Sequence, residues 1–368
     1  MKHLLGASIG LAFLMALSGA AYADITIATV GPMTGDNAST GAQFKAGVGL
    51  AVDDLNAKGG VLGQKVQWTS EDDACDPKTA VSAAELVAGK GVAAVIGHYC
   101  SGSSIPASAV YADAKIVQIS PGSTNPLYTD QRPGPGTFRV CGRDDAQGAV
   151  AGAYIAKNFA GKKVAILNDK SAYGLGLATE TQKALNAAGM KEVIFDSYNA
   201  DDKDFSPIVS KLKDAGIDVL YVGGYRAQAA LFARQMKDQG MTVQLMGGDD
   251  LVANEFWTAA GDAGQGTMMT FAPDPTKNPS AADVVAEFKA KNLDPAGYSL
   301  YAYAAVQVWA AAATKAGSTD FDKVVAAMNS ETFDTVLGPI KFDSKGDVVG
   351  AKFVWYVWKD GNYSEMAM

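Results

Sequence analysis

Short apolar, β-branched runs alternate along this chain with longer stretches whose apolar residues recur every three to four positions. Residues 25–30 read Ile-Thr-Ile-Ala-Thr-Val, the pattern of a buried strand. Phe44, Val48, Ala51 and Leu55 then fall on one face of a predicted amphipathic helix. Gly59-Gly60 ends it, because glycine takes the left-handed conformation that closes a helix. The same reading predicts strands at 65–68, 92–96, 116–119, 163–167, 193–195, 219–222 and 243–246. It predicts helices at 80–88, 146–159, 177–188, 205–215 and 227–239. Two late runs, 336–342 and 353–358, also read as strands. A βαβα order of this kind predicts an α/β fold, with parallel sheets covered by helices on both faces.

The rhythm breaks where proline and glycine cluster. Pro121-Gly122, Pro126, Pro133-Gly134-Pro135-Gly136 and Gly142 crowd residues 120–143, and Pro273, Pro275 and Pro279 mark a second break. A third falls near Gly346–Gly350. Several breaks fit two lobes between which the chain crosses more than once. The lobes expected are 24–143 plus 273–349, and 144–272 plus 350–368. No short-period repeat and no low-complexity linker is visible.

Composition narrows the function classes. The chain has 368 residues, 48% of them hydrophobic and 19% charged, enough for two sizeable cores. A net charge of −8 with no Lys/Arg cluster argues against a nucleic-acid partner. Residues 1–23 carry a basic start, an apolar run over 4–17 and Ala21-Tyr22-Ala23, the layout of a secretory signal cleaved after Ala23. Asp24 rather than cysteine follows, so the lipoprotein pattern is absent. With His3 in that segment, His98 is the one remaining histidine. That disfavours a histidine-rich zinc site and most Ser-His or Cys-His catalysis. Cys75, Cys100 and Cys141 are all in the exported part, where two of the three can pair, and spacing alone leaves the pair open.

Motif matches carry less than the turns do. Gly6-Ala7-Ser8-Ile9-Gly10 fits a hydrolase pattern but lies inside the signal segment. Gly174-Leu175-Gly176 lacks the third glycine of a dinucleotide loop, since Thr179 stands there, and reads as a helix-start turn. Glu71-Asp72-Asp73 reads as a strand end or cap, and His98 as a packed residue. In open α/β sheets, ligands sit beyond the carboxyl ends of strands. There, His98-Tyr99-Cys100-Ser101-Gly102-Ser103-Ser104 and Ser120-Pro121-Gly122-Ser123-Thr124 supply hydroxyls and a helix N-terminus, which suit a carboxylate. Gly247-Gly248-Asp249-Asp250, on the far side of the 143 break, supplies negative charge suited to an ammonium group. The bland alternative is that such residues are what turns and caps use.

At these positions the chain resembles the bacterial periplasmic solute-binding proteins of the branched-chain amino acid (leucine/isoleucine/valine) type. The carriers are Val30-Gly31-Pro32-Met33-Thr34-Gly35, Ala57-Lys58-Gly59-Gly60, Asp72-Asp73-Ala74-Cys75-Asp76-Pro77, Val95 through Ser101, Asp169 through Gly174, Lys203-Asp204-Phe205, Gly223-Gly224-Tyr225 and Met246-Gly247-Gly248-Asp249. The resemblance spans nearly all of the chain after the signal. It implies a type I periplasmic-binding fold: two doubly wound parallel-sheet lobes with three hinge crossings, closing on ligand. It implies a Cys75–Cys100 disulfide with Cys141 free, no catalytic residue, no metal and no cofactor. Ser101, Thr124 and the Gly122 carbonyl, in the turn that also holds Ser123, would take the carboxylate and ammonium of an amino acid. Tyr225 and Asp249 would come from the other lobe, with Tyr99, Tyr173 and Tyr298 around the side chain. This chain departs from the pattern where an aromatic often stands near Thr40 and a leucine at Tyr99. Asp249 is also one methylene shorter than the glutamate of close relatives.

The expectation is therefore a monomeric periplasmic receptor that hands an amino acid, foremost leucine, isoleucine or valine, to an inner-membrane ABC permease. Rival readings are another cargo (an aromatic amino acid, γ-aminobutyrate, an amide or an aromatic acid), a sensor subunit, or an exported enzyme.

Overall fold

The computed structural model describes residues 23–367, so all but the last residue of the expected signal segment lies outside the described residues. The first sheet holds β1 (Ile25–Gly31), β2 (Val66–Asp72), β3 (Ala94–Gly97), β4 (Val117–Ser120) and β5 (Thr137–Arg139). Its order is β2-β1-β3-β4-β5, and every neighbouring pair is parallel. β3 and β4 are buried throughout because helices cover both faces, and β4 buries Gln118 and Ser120 along with Val117 and Ile119.

The second sheet begins with β6 (Val164–Asn168), β7 (Ile194–Ser197), β8 (Val219–Gly223), β9 (Gln244–Gly247) and β10 (Met268–Phe271). The chain then returns to the first lobe for helices and a small hairpin, β11 (Thr332–Thr335) with β12 (Gly338–Lys341). It ends on the second sheet with β13 (Val354–Lys359) and β14 (Asn362–Glu365). The order is β14-β13-β10-β9-β8-β6-β7, with β13 and β14 antiparallel at the edge. The chain thus crosses between the sheets after β5, after β10 and before β13.

Three details differ from the sequence reading. The strand read at 336–342 is shorter, β12 at Gly338–Lys341, and its hairpin partner β11 (Thr332–Thr335) was not foreseen. β5 lies inside the proline- and glycine-rich break, and β10 was not foreseen. The alanine-rich helix Ser299–Ala316 is buried almost all round and packs on the helix Ala38–Ala57. Gly47 makes that approach possible, since a Cβ there would lie 2.2 Å from the Ser299 carbonyl oxygen. Among the described residues no helix is long and apolar enough to cross a membrane.

Each sheet reverses its winding at one place: between β1 and β3 in the first, between β6 and β8 in the second. A crevice opens at the carboxyl ends of strands beside such a switch. Tyr99 follows β3, Gly122 follows β4, Tyr173 follows β6, Tyr225 follows β8 and Asp249 follows β9. The topology alone therefore directs these residues into one cleft.

Candidate functional site

The first-lobe wall is two turns stitched together. Cys75 and Cys100 are joined, which ties the loop after β2 to the turn after β3. His98 is buried beside them, with Nδ1 2.6 Å from Asp73 Oδ2 and Nε2 3.0 Å from the Tyr111 hydroxyl. The acidic run is thus structural. Asp72 accepts from the Met33 and Thr34 amides, Asp73 from the Cys75 amide, and Asp76 caps the next helix. Ser120 Oγ donates to the His98 carbonyl at 2.7 Å, and Ser123 Oγ to the Tyr99 carbonyl at 2.9 Å. Ser123 also meets Ser104 Oγ at 2.6 Å, so its hydroxyl braces the turn rather than facing the cleft.

Arg139 holds the far end of that turn. It donates to the Ser123 and Asn125 carbonyls, and its Nε lies 2.6 Å from Asp347 Oδ1 in a buried ion pair. Ser101 opens the helix Ser101–Asp113; its Oγ accepts from the Asn125 amide at 3.2 Å and also lines the cleft. Thr124 Oγ1 is buried without a protein partner in good geometry, beside the Asp144 carboxyl. Cys141 is free and buried, and burial pushes its thiol far above the ordinary range.

The second-lobe wall carries two adjacent acids with different partners. Asp250 accepts from the Arg226 amide at 2.6 Å and from Arg226 Nη1 at 3.1 Å, a buried ion pair. Asp249 has no cationic partner among the described residues. It accepts from the Tyr173 hydroxyl at 2.8 Å and from the Tyr298 hydroxyl. Burial raises its pKa above the usual carboxylate range, against the opposing pull of those hydrogen bonds, and the Asp250 charge adds to the rise. Asp144, at the start of the helix Asp144–Asn158, is also fully buried, and desolvation with the nearby Asp249 charge raises its pKa.

The lobes meet across the cleft. Tyr99 donates to Asp250, Tyr298 to Asp249, and Arg226 Nη2 to Thr40 Oγ1 at 2.8 Å. Asn125 Nδ2 donates to the Ala172 carbonyl. Tyr99, Ser101, Gly122, Tyr173, Tyr225 and Asp249 line a narrow gap between the lobes, too tight to hold a water molecule. A larger, more open groove runs along the crossings past Val140, Ala272 and Val349, with Asp274 and Lys277 paired to each other on its wall and Lys352 beside them.

Of the residues expected from the sequence, Tyr99, Ser101, Gly122, Tyr173, Tyr225, Asp249 and Tyr298 converge here. Thr124 stands one step behind, and Ser123 is turned into the wall. Gly174 and Gly176 are packing positions: a Cβ on Gly174 would meet Asp169 at 2.2 Å, and one on Gly176 would meet Asn125 at 2.3 Å. Sequence reasoning missed Arg226, Asn125 and Asp144. For Arg226 a signal existed: an arginine at the first turn of a helix, beside a strand end, with an acid in the next strand-end turn.

Two α/β lobes gripping a polar gap, with Asp249 buried there without a cation, define a receptor that closes on a small solute. The chain belongs to the periplasmic binding protein family, whose profile matches residues 24–362. That family consists of binding proteins rather than enzymes. The Leu/Ile/Val-binding protein homolog 1 of Brucella suis biovar 1 (strain 1330) is 46% identical over 368 residues, covering 99% of each chain. An amino acid binding protein of Pseudomonas aeruginosa is 43% identical over 363 residues, covering 98% of this chain and 97% of that one. A leucine-binding protein from Thermotoga maritima superposes with a TM-score of 0.86 at 28% identity, covering 93% of this chain and 98% of that one.

Proposed function

We propose that this protein captures an amino acid between its lobes and delivers it, unaltered, to an inner-membrane ABC permease. The observation that carries this reading is the contrast between Asp250, matched by Arg226, and Asp249, buried without a cation. An uncompensated buried charge is costly, so the closed site calls for a cation. The ligand's ammonium meets Asp249 and the Gly122 carbonyl. Its carboxylate meets Ser101 and the N-terminus of the helix Ser101–Asp113, where free amides point outward. Tyr225 closes over it from the second lobe. Closure expels water, which strengthens each charge-assisted bond. An aromatic acid without an amino group would leave Asp249 unmatched.

The relatives named for leucine, isoleucine and valine make those the first amino acids to assay. The lobes are read as 24–143 plus 273–349 and 144–272 plus 350–368. The working form is a periplasmic monomer cleaved after Ala23. Calorimetric titration of Asp249→Asn tests the assignment: amino-acid affinity should fall by about 2–5 kcal/mol, the effect of truncating one partner of a buried charge pair. Unchanged affinity would remove Asp249 from the site.

A further inference from the structure

We infer that Arg226 is a positioning residue for closure: with Asp250 it forms a latch on Thr40 and Tyr99 that sets how long the lobes stay shut, equally for every cargo. The inference rests on the reading above that the lobes close on an amino acid. It adds a division of labour between the two adjacent acids of the second-lobe wall.

The latch is assembled within the second lobe. Arg226 opens the helix Arg226–Asp238 directly after β8, and Asp250 lies in the turn after β9. The Asp250 carboxylate accepts from the Arg226 amide at 2.6 Å and from Nη1 at 3.1 Å, so the pair holds its own shape. One group of each sign is left to reach the first lobe. Nη2 donates to Thr40 Oγ1 at 2.8 Å, and Asp250 Oδ1 accepts from the Tyr99 hydroxyl. Those partners sit on separate elements, Thr40 in the first turn of the helix Ala38–Ala57 and Tyr99 after β3. A single ion pair thus ties two parts of the facing lobe.

Arg226 and Thr40 do not line the gap assigned to cargo, and they are only 3% and 1% exposed. Asp250 is matched by Arg226, whereas Asp249 has no cation among the described residues. Recognition therefore falls to Asp249 and holding to Asp250. Thr40 is a firm anchor. Its helix start packs so closely on the preceding loop that a Cβ on Gly41 would lie 2.2 Å from the Pro32 carbonyl oxygen. The outer pair between the lobes, Lys203 with Asp36 at 3.8 Å, is exposed on both sides, and such pairs contribute little. Buried bonds to charged groups are stronger. When the lobes part, Arg226 and Asp250 keep each other, while Thr40 and Tyr99 exchange them for water. Opening breaks the latch and encounter does not form it, so its effect falls on release.

The test follows release of radiolabelled leucine, isoleucine and valine from the full-length protein into excess unlabelled ligand, with association read by stopped-flow fluorescence. Thr40→Val keeps the shape of the side chain but leaves Arg226 Nη2 buried without its acceptor in the shut form. It should speed release at least about fivefold, the effect of one unsatisfied buried donor. Association should change by less than about twofold. The factor should be the same for all three amino acids. Thr40→Ser, which keeps the hydroxyl, should release at close to the parental rate. Parental release by Thr40→Val would overturn the inference. So would a factor that differs among the three cargoes, or release from Thr40→Ser as fast as from Thr40→Val. Should Thr40→Val not fold, Thr40→Ala takes its place. A parent that binds no amino acid would sink the amino-acid reading alone. X-ray scattering of the empty proteins then decides the latch: Thr40→Val should be the more extended, and matching profiles would overturn it.

Discussion

The two walls of the cleft begin from the same device, a strand end running into a turn, and diverge in how they treat polar groups. On the first-lobe wall, Ser120, Ser123, His98 and Arg139 spend their hydrogen bonds on one another's turns, and a disulfide fixes the result. That wall is braced largely from within, with Thr124 Oγ1 left without a good partner. On the second-lobe wall, one aspartate is completed by Arg226 and its neighbour is left short of a counter-charge. The difference teaches that a binding site is recognised less by its polar residues than by those the fold leaves uncompensated. Buried polar groups are otherwise satisfied.

The sharpest way to break this contrast is to make Asp250 resemble Asp249. Arg226→Met leaves Asp250 buried without its cation, and chemical denaturation should show a loss of about 3–5 kcal/mol. A variant as stable as the parent would mean that the two acids are equivalent. The first wall is probed next. Replacing Cys75 and Cys100 together by serine opens a bridge of sequence separation 25. Melting curves should show a loss of about 2–4 kcal/mol, the usual contribution of such a link. Parental stability would show that the hydrogen bonds alone brace that wall.

The third probe is pH. Asp249 has its pKa raised in the folded, empty protein, chiefly by burial. The empty fold therefore holds the proton more tightly than the unfolded chain does. Asp249 contributes stability below its unfolded pKa, and that contribution is lost as pH rises through the folded value. An ammonium ligand reverses the preference, because it pairs with the ionised form. Binding should weaken as the solution is acidified, by about tenfold per pH unit once Asp249 carries a proton. The decline should begin above the ordinary carboxylate range. Titrations from neutral to mildly acidic pH read this directly, and a flat profile in the parent would contradict the role given to Asp249.

Much of this architecture was legible in the residues. The buried strands β3, β6 and β8 are unbroken apolar runs, and the helix after β1 carries its stripe at Phe44, Val48, Ala51 and Leu55. β5 was hidden because three residues beside Pro133 through Gly136 give no period to read. The helix Ser101–Asp113 was anticipated only as an N-terminus, since serine and alanine leave it almost without an apolar stripe. At the site, Asp249 was readable from its place after a strand, but its separation from Asp250 was not. That distinction depends on Arg226, which is distant in sequence and looks like any solvated helix-start arginine. Asp144 was missed for a similar reason: an acid in a first helical turn ordinarily marks the macrodipole, and only the closed lobes reveal its burial.

The hydroxyls of Tyr99 and Tyr298, together with the Arg226–Thr40 bond, reach across the cleft from lobe to lobe. Bonds of this kind favour shutting with or without cargo, so an opposing influence is needed to hold an unloaded clamp open. On the role proposed for Asp249, its carboxylate supplies that influence. At neutral pH an unloaded clamp must either bury a bare negative charge or take up a proton to shut, and a loaded one need do neither. The residue proposed to attract cargo would then also check idle cycles of transport.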